Sequence, residues 1–153
     1  MTTKRSLTAL IVVALLLAGG ALFARSTPAS AQTGARSVVA VGNSQFGPIL
    51  FDGRGFALYA FTRDPRGRAT CYTACAKAWP PYLVQGRPTA GLRAKSALLG
   101  VVRRQDGKLQ ATYGGHPLYY YVGDTKPGIV LCQNVKEFGG LWLVLRGSGA
   151  LVR

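Results

Sequence analysis

Gly55-Phe56-Ala57-Leu58-Tyr59-Ala60-Phe61-Thr62-Arg63-Asp64 returns 60 residues later as Gly115-His116-Pro117-Leu118-Tyr119-Tyr120-Tyr121-Val122-Gly123-Asp124. Glycine, leucine, tyrosine, an aromatic and aspartate keep their places, giving G-x-x-L-Y-x-[FY]-x-x-D in both copies. Self-similarity at a fixed offset means that the chain is built from two units of one plan. Inside the first copy, Leu58 and Ala60 point one way and Tyr59 and Phe61 the other, the alternation of a β-strand.

The flanks of the first copy read as a hairpin. Ile49-Leu50-Phe51 runs into Asp52-Gly53-Arg54-Gly55, and the apolar run from Phe56 to Phe61 follows. The second copy has a comparable lead-in: Leu98 to Gln105, the turn Asp106-Gly107, then Lys108 to Tyr113. There Leu109, Ala111 and Tyr113 alternate with Lys108, Gln110 and Thr112, which predicts a sheet with one wet face. Between the copies the period changes. Cys71, Cys75 and Trp79 stand four apart among Ala74, Ala76 and Ala78, and Pro80-Pro81 follows. This predicts about two helical turns from Tyr72 to Trp79. Gln85 to Lys95 reads as a loop, Val130 to Phe138 as a second short helix, and Leu141 to Leu145 with Ala150 to Val152 as a closing hairpin. The expected class is mainly β: short antiparallel strands and hairpins in two pseudo-repeated halves, with one or two short helices.

The N-terminus carries an export signal. Lys4 and Arg5 precede an apolar run from Leu7 to Leu17, and Ala29-Ser30-Ala31 has the small-residue pattern of a cleavage site. Residues 1–31 are therefore read as a signal peptide. Residues 32–44 are read as a flexible arm and first strand. Residues 45–153 are read as one secreted repeat domain, its halves about 45–95 and 96–153. The rival is an uncleaved N-terminal membrane anchor, since Leu7 to Ala24 is uncharged. No cysteine follows Leu17-Ala18-Gly19, so no lipid attachment site stands there.

The net charge of +14 falls to about +11 once Lys4, Arg5 and Arg25 leave with the leader. Such a surface suits anionic partners: an envelope polymer, a membrane surface or an acidic patch on another envelope protein. The cations are scattered, with Arg103-Arg104 the densest pair outside the leader, and there is no basic run of the nucleic-acid type. With the export signal, this argues against nucleic acid.

Several chemistries are excluded by residue supply. His116 is the one histidine, so a two-histidine copper site is impossible, and a C-x-x-C-H haem motif is absent. No G-x-S-x-G, P-loop or dinucleotide fingerprint occurs, and no cofactor is expected. A hydrolytic Ser-His-Asp site would have to use His116, whose counterpart in the first copy is Phe56. Asp64 and Asp124 could make a carboxylate pair, but their symmetric placement points to a repeated turn. Tyr59, Phe61, Tyr119 and Tyr121 read as core aromatics, with an exposed ligand platform as the rival. Cys71, Cys75, Cys132 and His116 number the four ligands of a structural zinc, although an oxidising compartment competes for the thiols. Three cysteines in an exported chain imply one disulfide and one free thiol. A bridge between Cys71 and Cys75, or from either to Cys132, fits the spacing.

These residues together resemble a bacterial secreted repeat family of unknown function, described as predicted lipoproteins with a conserved Y-x-[FWY]-x-x-D motif. The resemblance rests on Tyr59-Ala60-Phe61-Thr62-Arg63-Asp64 and Tyr119-Tyr120-Tyr121-Val122-Gly123-Asp124, on Cys71 to Pro81, on Gly115-His116-Pro117-Leu118, and on Pro127-Gly128 and Gly139-Gly140-Leu141-Trp142. It covers about residues 45 to 152. It implies a secreted or cell-envelope protein, no known activity, and a Cys71–Cys75 bridge with Cys132 left over. The expected function is a non-catalytic binding or structural module. The alternative is a redox or metal-dependent envelope protein using Cys71, Cys75 and Cys132. Export itself has a direct readout: N-terminal sequencing of the protein from its native host should return Gln32 as the first residue, and an intact leader would place it in the anchored class.

Overall fold

The computed structural model describes residues 37–153. The expected leader and residues 32–36 of the arm lie outside the described residues. Each half opens with a hairpin. In the first, β1 (Val38–Gly42) pairs antiparallel with β2 (Ile49–Asp52). At the end of β2 the Asp52 carboxylate accepts bonds from the Arg54 and Phe56 amides, both 2.9 Å, and Gly55 adopts φ 88°. A side chain there would meet steric penalty, so the glycine is what lets the chain double back. It returns as β3 (Tyr59–Phe61).

A linking segment carries helix α1 (Ala74–Ala78) and the two-residue strands β4 (Leu83–Val84) and β5 (Thr89–Ala90), then a single 3-10 turn, Ser96–Leu98. The second hairpin is β6 (Leu99–Arg103) with β7 (Leu109–Tyr113), followed by β8 (His116–Pro117) on β7. β9 (Val135–Glu137) and β10 (Gly140–Val144) close the domain. The strands form three small sheets, ordered β2-β1-β5, β3-β10-β9 and β4-β7-β6 with β8 beside β7. The protein is thus mainly antiparallel β with two repeated halves and one short helix.

The halves meet at the two motif tyrosines. Tyr59 and Tyr119 form an antiparallel bridge and exchange both backbone bonds at 2.9 Å. Strand alternation then splits β3 between two cores. Tyr59 and Phe61 enter an aromatic cluster with Trp79, Tyr119 and Trp142. Leu58 and Ala60 enter an aliphatic cluster with Val39, Leu50, Leu118 and Leu145. In the aromatic cluster four rings lie in a row. Phe61 stacks on Trp142 at 4.3 Å, Trp142 on Trp79 at 4.0 Å, and Trp79 meets Tyr121 at 4.7 Å. Tyr119 stands edge-on to Trp142 and Tyr59 edge-on to Trp79. Each half thus contributes one outer ring and one edge ring. Such aromatic pairs add roughly 0.5–1.5 kcal/mol each beyond area burial.

Four details differ from the sequence reading. Val130 to Phe138 is not helical: β9 pairs with β10, and Asn134 and Phe138 take φ 61° and 51°, which no helix accommodates. The decisive partner is the edge of β10, which local periodicity cannot reveal. The stretch read as a loop from Gln85 contains β5, which adds parallel to β1. β7 has no wet face. Gln110 and Thr112 are buried, and Gln110 is satisfied by Arg104 at 2.6 Å and the Leu118 carbonyl at 2.7 Å. Arg104 is likewise not part of a solvated pair with Arg103. It is 4% exposed, lies 4.3 Å over the Tyr72 ring and donates to the Cys71 carbonyl. These acceptors replace water at Nη1 and Nη2, while Nε is buried without a hydrogen-bond partner and has Asp106 3.8 Å away.

The ring row makes a stability prediction. Trp142→Ala should cost about 3–5 kcal/mol, since it removes the ring that both Trp79 and Phe61 stack on. Phe138→Ala, at an exposed site, should stay within about 0.5 kcal/mol. Urea melts of the two variants check the contrast, and equal stability would mean that the row is not the core.

Candidate functional site

The motif residues converge on one buried arrangement. The Tyr59 hydroxyl donates to Asp124 Oδ2 at 2.6 Å, and the Tyr119 hydroxyl donates to Asp64 Oδ2 at 2.7 Å. Each half's tyrosine is therefore held by the other half's aspartate. The second oxygen of each carboxylate is also used. Asp64 Oδ1 accepts from the Thr70 amide at 2.7 Å and the Thr70 hydroxyl at 2.6 Å, and Asp124 Oδ1 accepts from the Leu131 amide at 3.0 Å. The local backbone bonds are of the kind expected for an aspartate after a strand. The cross-repeat bonds could not be read from one motif copy. The available signal was the equal Tyr-to-Asp spacing in both copies.

Burial raises the pKa of Asp64 and Asp124 above the ordinary carboxylate value, although the hydroxyls and amides bonded to them act in the opposite direction. Burial also raises the phenols of Tyr59 and Tyr119, and the adjacent carboxylates add to that effect. The phenols stay protonated donors. Both oxygens of each aspartate are engaged by internal donors, and both residues are buried. Phe61 is buried in the ring row, while Tyr121 at its other end is partly exposed.

Cys71 and Cys75 are joined in a disulfide, with Cα atoms 5.3 Å apart. Cys132 is a half-buried thiol, its pKa pushed up by burial. The bridge withdraws two thiolates from the four-residue set Cys71, Cys75, Cys132 and His116, and among the described residues no group of three or more His, Cys, Asp or Glu could hold a metal ion. His116 is half-buried on β8. Burial, then the charge of Arg66, pushes its pKa below the ordinary 6.5.

All five carboxylates of the chain have internal duties. Asp52 holds the β2 turn and accepts from Arg54 Nε at 2.9 Å and the Tyr120 hydroxyl at 3.0 Å. Glu137 accepts the Trp79 indole N–H at 2.8 Å, Asp106 accepts the Lys108 amide, and Asp64 and Asp124 hold the tyrosines. Only Asp52–Arg54 and Asp106–Arg104 are ion pairs among the described residues. The remaining surface cations are unneutralised.

Two open hollows share Leu83 of β4 in their linings. The first, of about 470 Å³, is lined by Val38, Arg54, Tyr82, Leu83 and Tyr120 among others. The second, also about 470 Å³, is lined by Leu83, Val84, Arg103, Lys108 and Leu109 with the adjoining backbone. Sequence reading assigned no role to Tyr82, Leu83 or Tyr120, since the hollows assemble from segments far apart in the chain.

A family model described as a secreted repeat of unknown function matches residues 40–82 and again 100–146, more than half of the chain. No curated protein and no solved structure matches. No helix among the described residues is long and apolar enough to cross a membrane.

The crossed Tyr–Asp pairs predict both a mutational cost and a pH response. Tyr59→Phe should cost about 1–3 kcal/mol, because it leaves a buried carboxylate oxygen without its donor. Tyr59→Ala should cost more, about 3–5 kcal/mol, through the added cavity. For a carboxyl group whose folded pKa is raised, the folded state binds the proton first, so stability falls as pH rises from the ordinary value of 3.8 through the folded value. Asp64 and Asp124 should therefore add stability on acidification across that window. Chemical denaturation against pH should give a shallower acid slope for Asp124→Asn than for the wild type; a steeper stabilising slope in that variant would contradict the assignment.

Proposed function

Since the chain belongs to this secreted repeat family, we propose that it acts outside the cytoplasm as a non-catalytic binding module for an anionic partner in the cell envelope. The single observation that carries this reading is the distribution of charge. Every acidic side chain accepts at least one internal hydrogen bond, and apart from Arg54 and the buried Arg104, which pair with Asp52 and Asp106, the described cations have no carboxylate partner. Such a surface draws polyanions by a summed field rather than by one contact.

The same observation speaks against general acid–base work. A catalytic carboxylate must reach a substrate proton, and a covalent catalyst needs an activated nucleophile beside a base. Both oxygens of Asp64 and of Asp124 already accept internal bonds, and the His116 imidazole, lowered in pKa by burial and by the charge of Arg66 with Asp64 acting the other way, has no hydrogen-bond partner of the nucleophile kind among the described residues. The repeated Tyr-to-Asp spacing of the motif supplies the crossed bonds at the joint between the halves.

Binding of this kind should respond to salt. The Debye length shrinks from about 10 Å at 0.1 M to about 3 Å at 1 M, so affinity for an anionic polymer should fall steeply between those limits. Titration of the mature domain with a polyanionic glycan across that range checks it. Salt-independent binding, or none at low salt, would overturn the proposal.

A further inference from the structure

Leu83 lines both hollows, so its side chain stands between them as a ridge, and a ligand laid across that ridge, in the groove the two would then make, meets both linings. Leu83 is 41% exposed, which leaves part of its side chain open to a ligand. On one side of the ridge the floor is aromatic: Tyr82 and Tyr120 lie 5.3 Å apart, and the Arg54 guanidinium sits 5.7 Å from the Tyr120 ring centre. Asp52 also lines this side, but its two oxygens already accept the Arg54 and Phe56 amides, Arg54 Nε and the Tyr120 hydroxyl. It offers a ligand no open acceptor, while the terminal nitrogens of Arg54 remain at the rim. On the other side of the ridge stand Arg103 and Lys108, with no carboxylate in the lining. Arg103 donates from Nη1 to the Gly107 carbonyl at 2.8 Å, which anchors the guanidinium at one corner and leaves its other N–H groups without a protein acceptor.

We propose that this groove binds an acidic oligosaccharide. A sugar ring lies against Tyr120 and Leu83 with its hydroxyls or acidic group on Arg54, and an acidic group of a neighbouring unit falls to Arg103 and Lys108. The proposal rests on the anionic-partner reading above and gives it a place and a substrate class. Apolar floors with a few fixed polar groups are the usual form of a small-molecule site. A guanidinium presents paired N–H donors that match a planar carboxylate. Two other occupants fit less well. A peptide adding as a strand needs a long free edge, but β4 has two residues and the Leu83 amide already donates to the Pro81 carbonyl. A lipid surface is met by protruding apolar residues backed by cations, whereas here the apolar residues line concavities.

The test is calorimetric titration of the mature domain at low salt with a short oligogalacturonate. A neutral galactose oligomer and phosphatidylglycerol vesicles serve as comparison probes. Arg103→Gln with Lys108→Gln should weaken oligogalacturonate binding by about tenfold or more, the effect of losing roughly 1.4 kcal/mol. Lys126→Gln with Lys136→Gln removes the same charge outside the groove lining and should change affinity less than about twofold, as expected of a screened surface charge. Leu83→Asp, at an exposed site that need not disturb folding, should also abolish binding by placing a carboxylate on the ridge. Thermal melts verify that each variant is folded. Equal weakening by the two double variants would overturn the groove while leaving the anionic-partner reading intact. No oligogalacturonate binding by the wild type would overturn both. Equal binding of the neutral oligomer would overturn the acidic requirement, and vesicle binding with the same groove dependence would overturn the sugar class.

Discussion

The phenol of Tyr59 is held by a carboxylate from the other half, and Tyr119 is held in return. This exchange sits beside the bridge at which the same two tyrosines trade backbone bonds. The halves are thus tied at main chain and side chain in one place. Neither half on its own could satisfy its tyrosine and its aspartate by these bonds. Burial of a polar group without a partner is costly, so the crossed pairing favours the joined state over two independent units.

The aromatic row builds outward from that joint. Tyr59 and Tyr119 stand edge-on to the two stacked tryptophans, and Phe61 and Tyr121 lie at the ends. Trp79 reaches the row from α1, whose short length would make it unstable alone. The Cys71–Cys75 bridge closes a loop too small to add much chain-entropy stabilisation. Its position beside α1 suits a local clip: Trp79 donates its amide to the Cys75 carbonyl at 2.8 Å, and its indole to Glu137.

Using the carboxylates this way shapes the exterior. A chain with five acidic residues and 19 basic ones that places every acid in a turn, joint or cap presents a positive surface almost by subtraction. Arg104 is the exception among the cations, drawn inside by Gln110, the Cys71 carbonyl and the Tyr72 ring. The groove over β4 lies where the first turn, the linking segment and the second half converge. It is a product of the joint as much as the core is.

What the sequence determined by itself is local or periodic. The 60-residue offset declares two units. Alternation in Leu58 to Phe61 declares a strand, and the Asp-Gly pairs declare turns. These follow from backbone sterics and side-chain direction, which operate over a few residues and leave a mark in order and spacing. Tertiary structure alone decided which aspartate serves which tyrosine, since within-copy and crossed pairings have the same sequence. It also decided that Val135–Glu137 is a strand, because its partner β10 supplies bonds that outweigh a weak helical tendency. The burial of Gln110 and Arg104 and the gathering of Arg54, Tyr82 and Tyr120 around one hollow belong to the same class. Each depends on groups tens of residues apart, and the free energy of such contacts is set by where the folded chain brings them, not by their order along it.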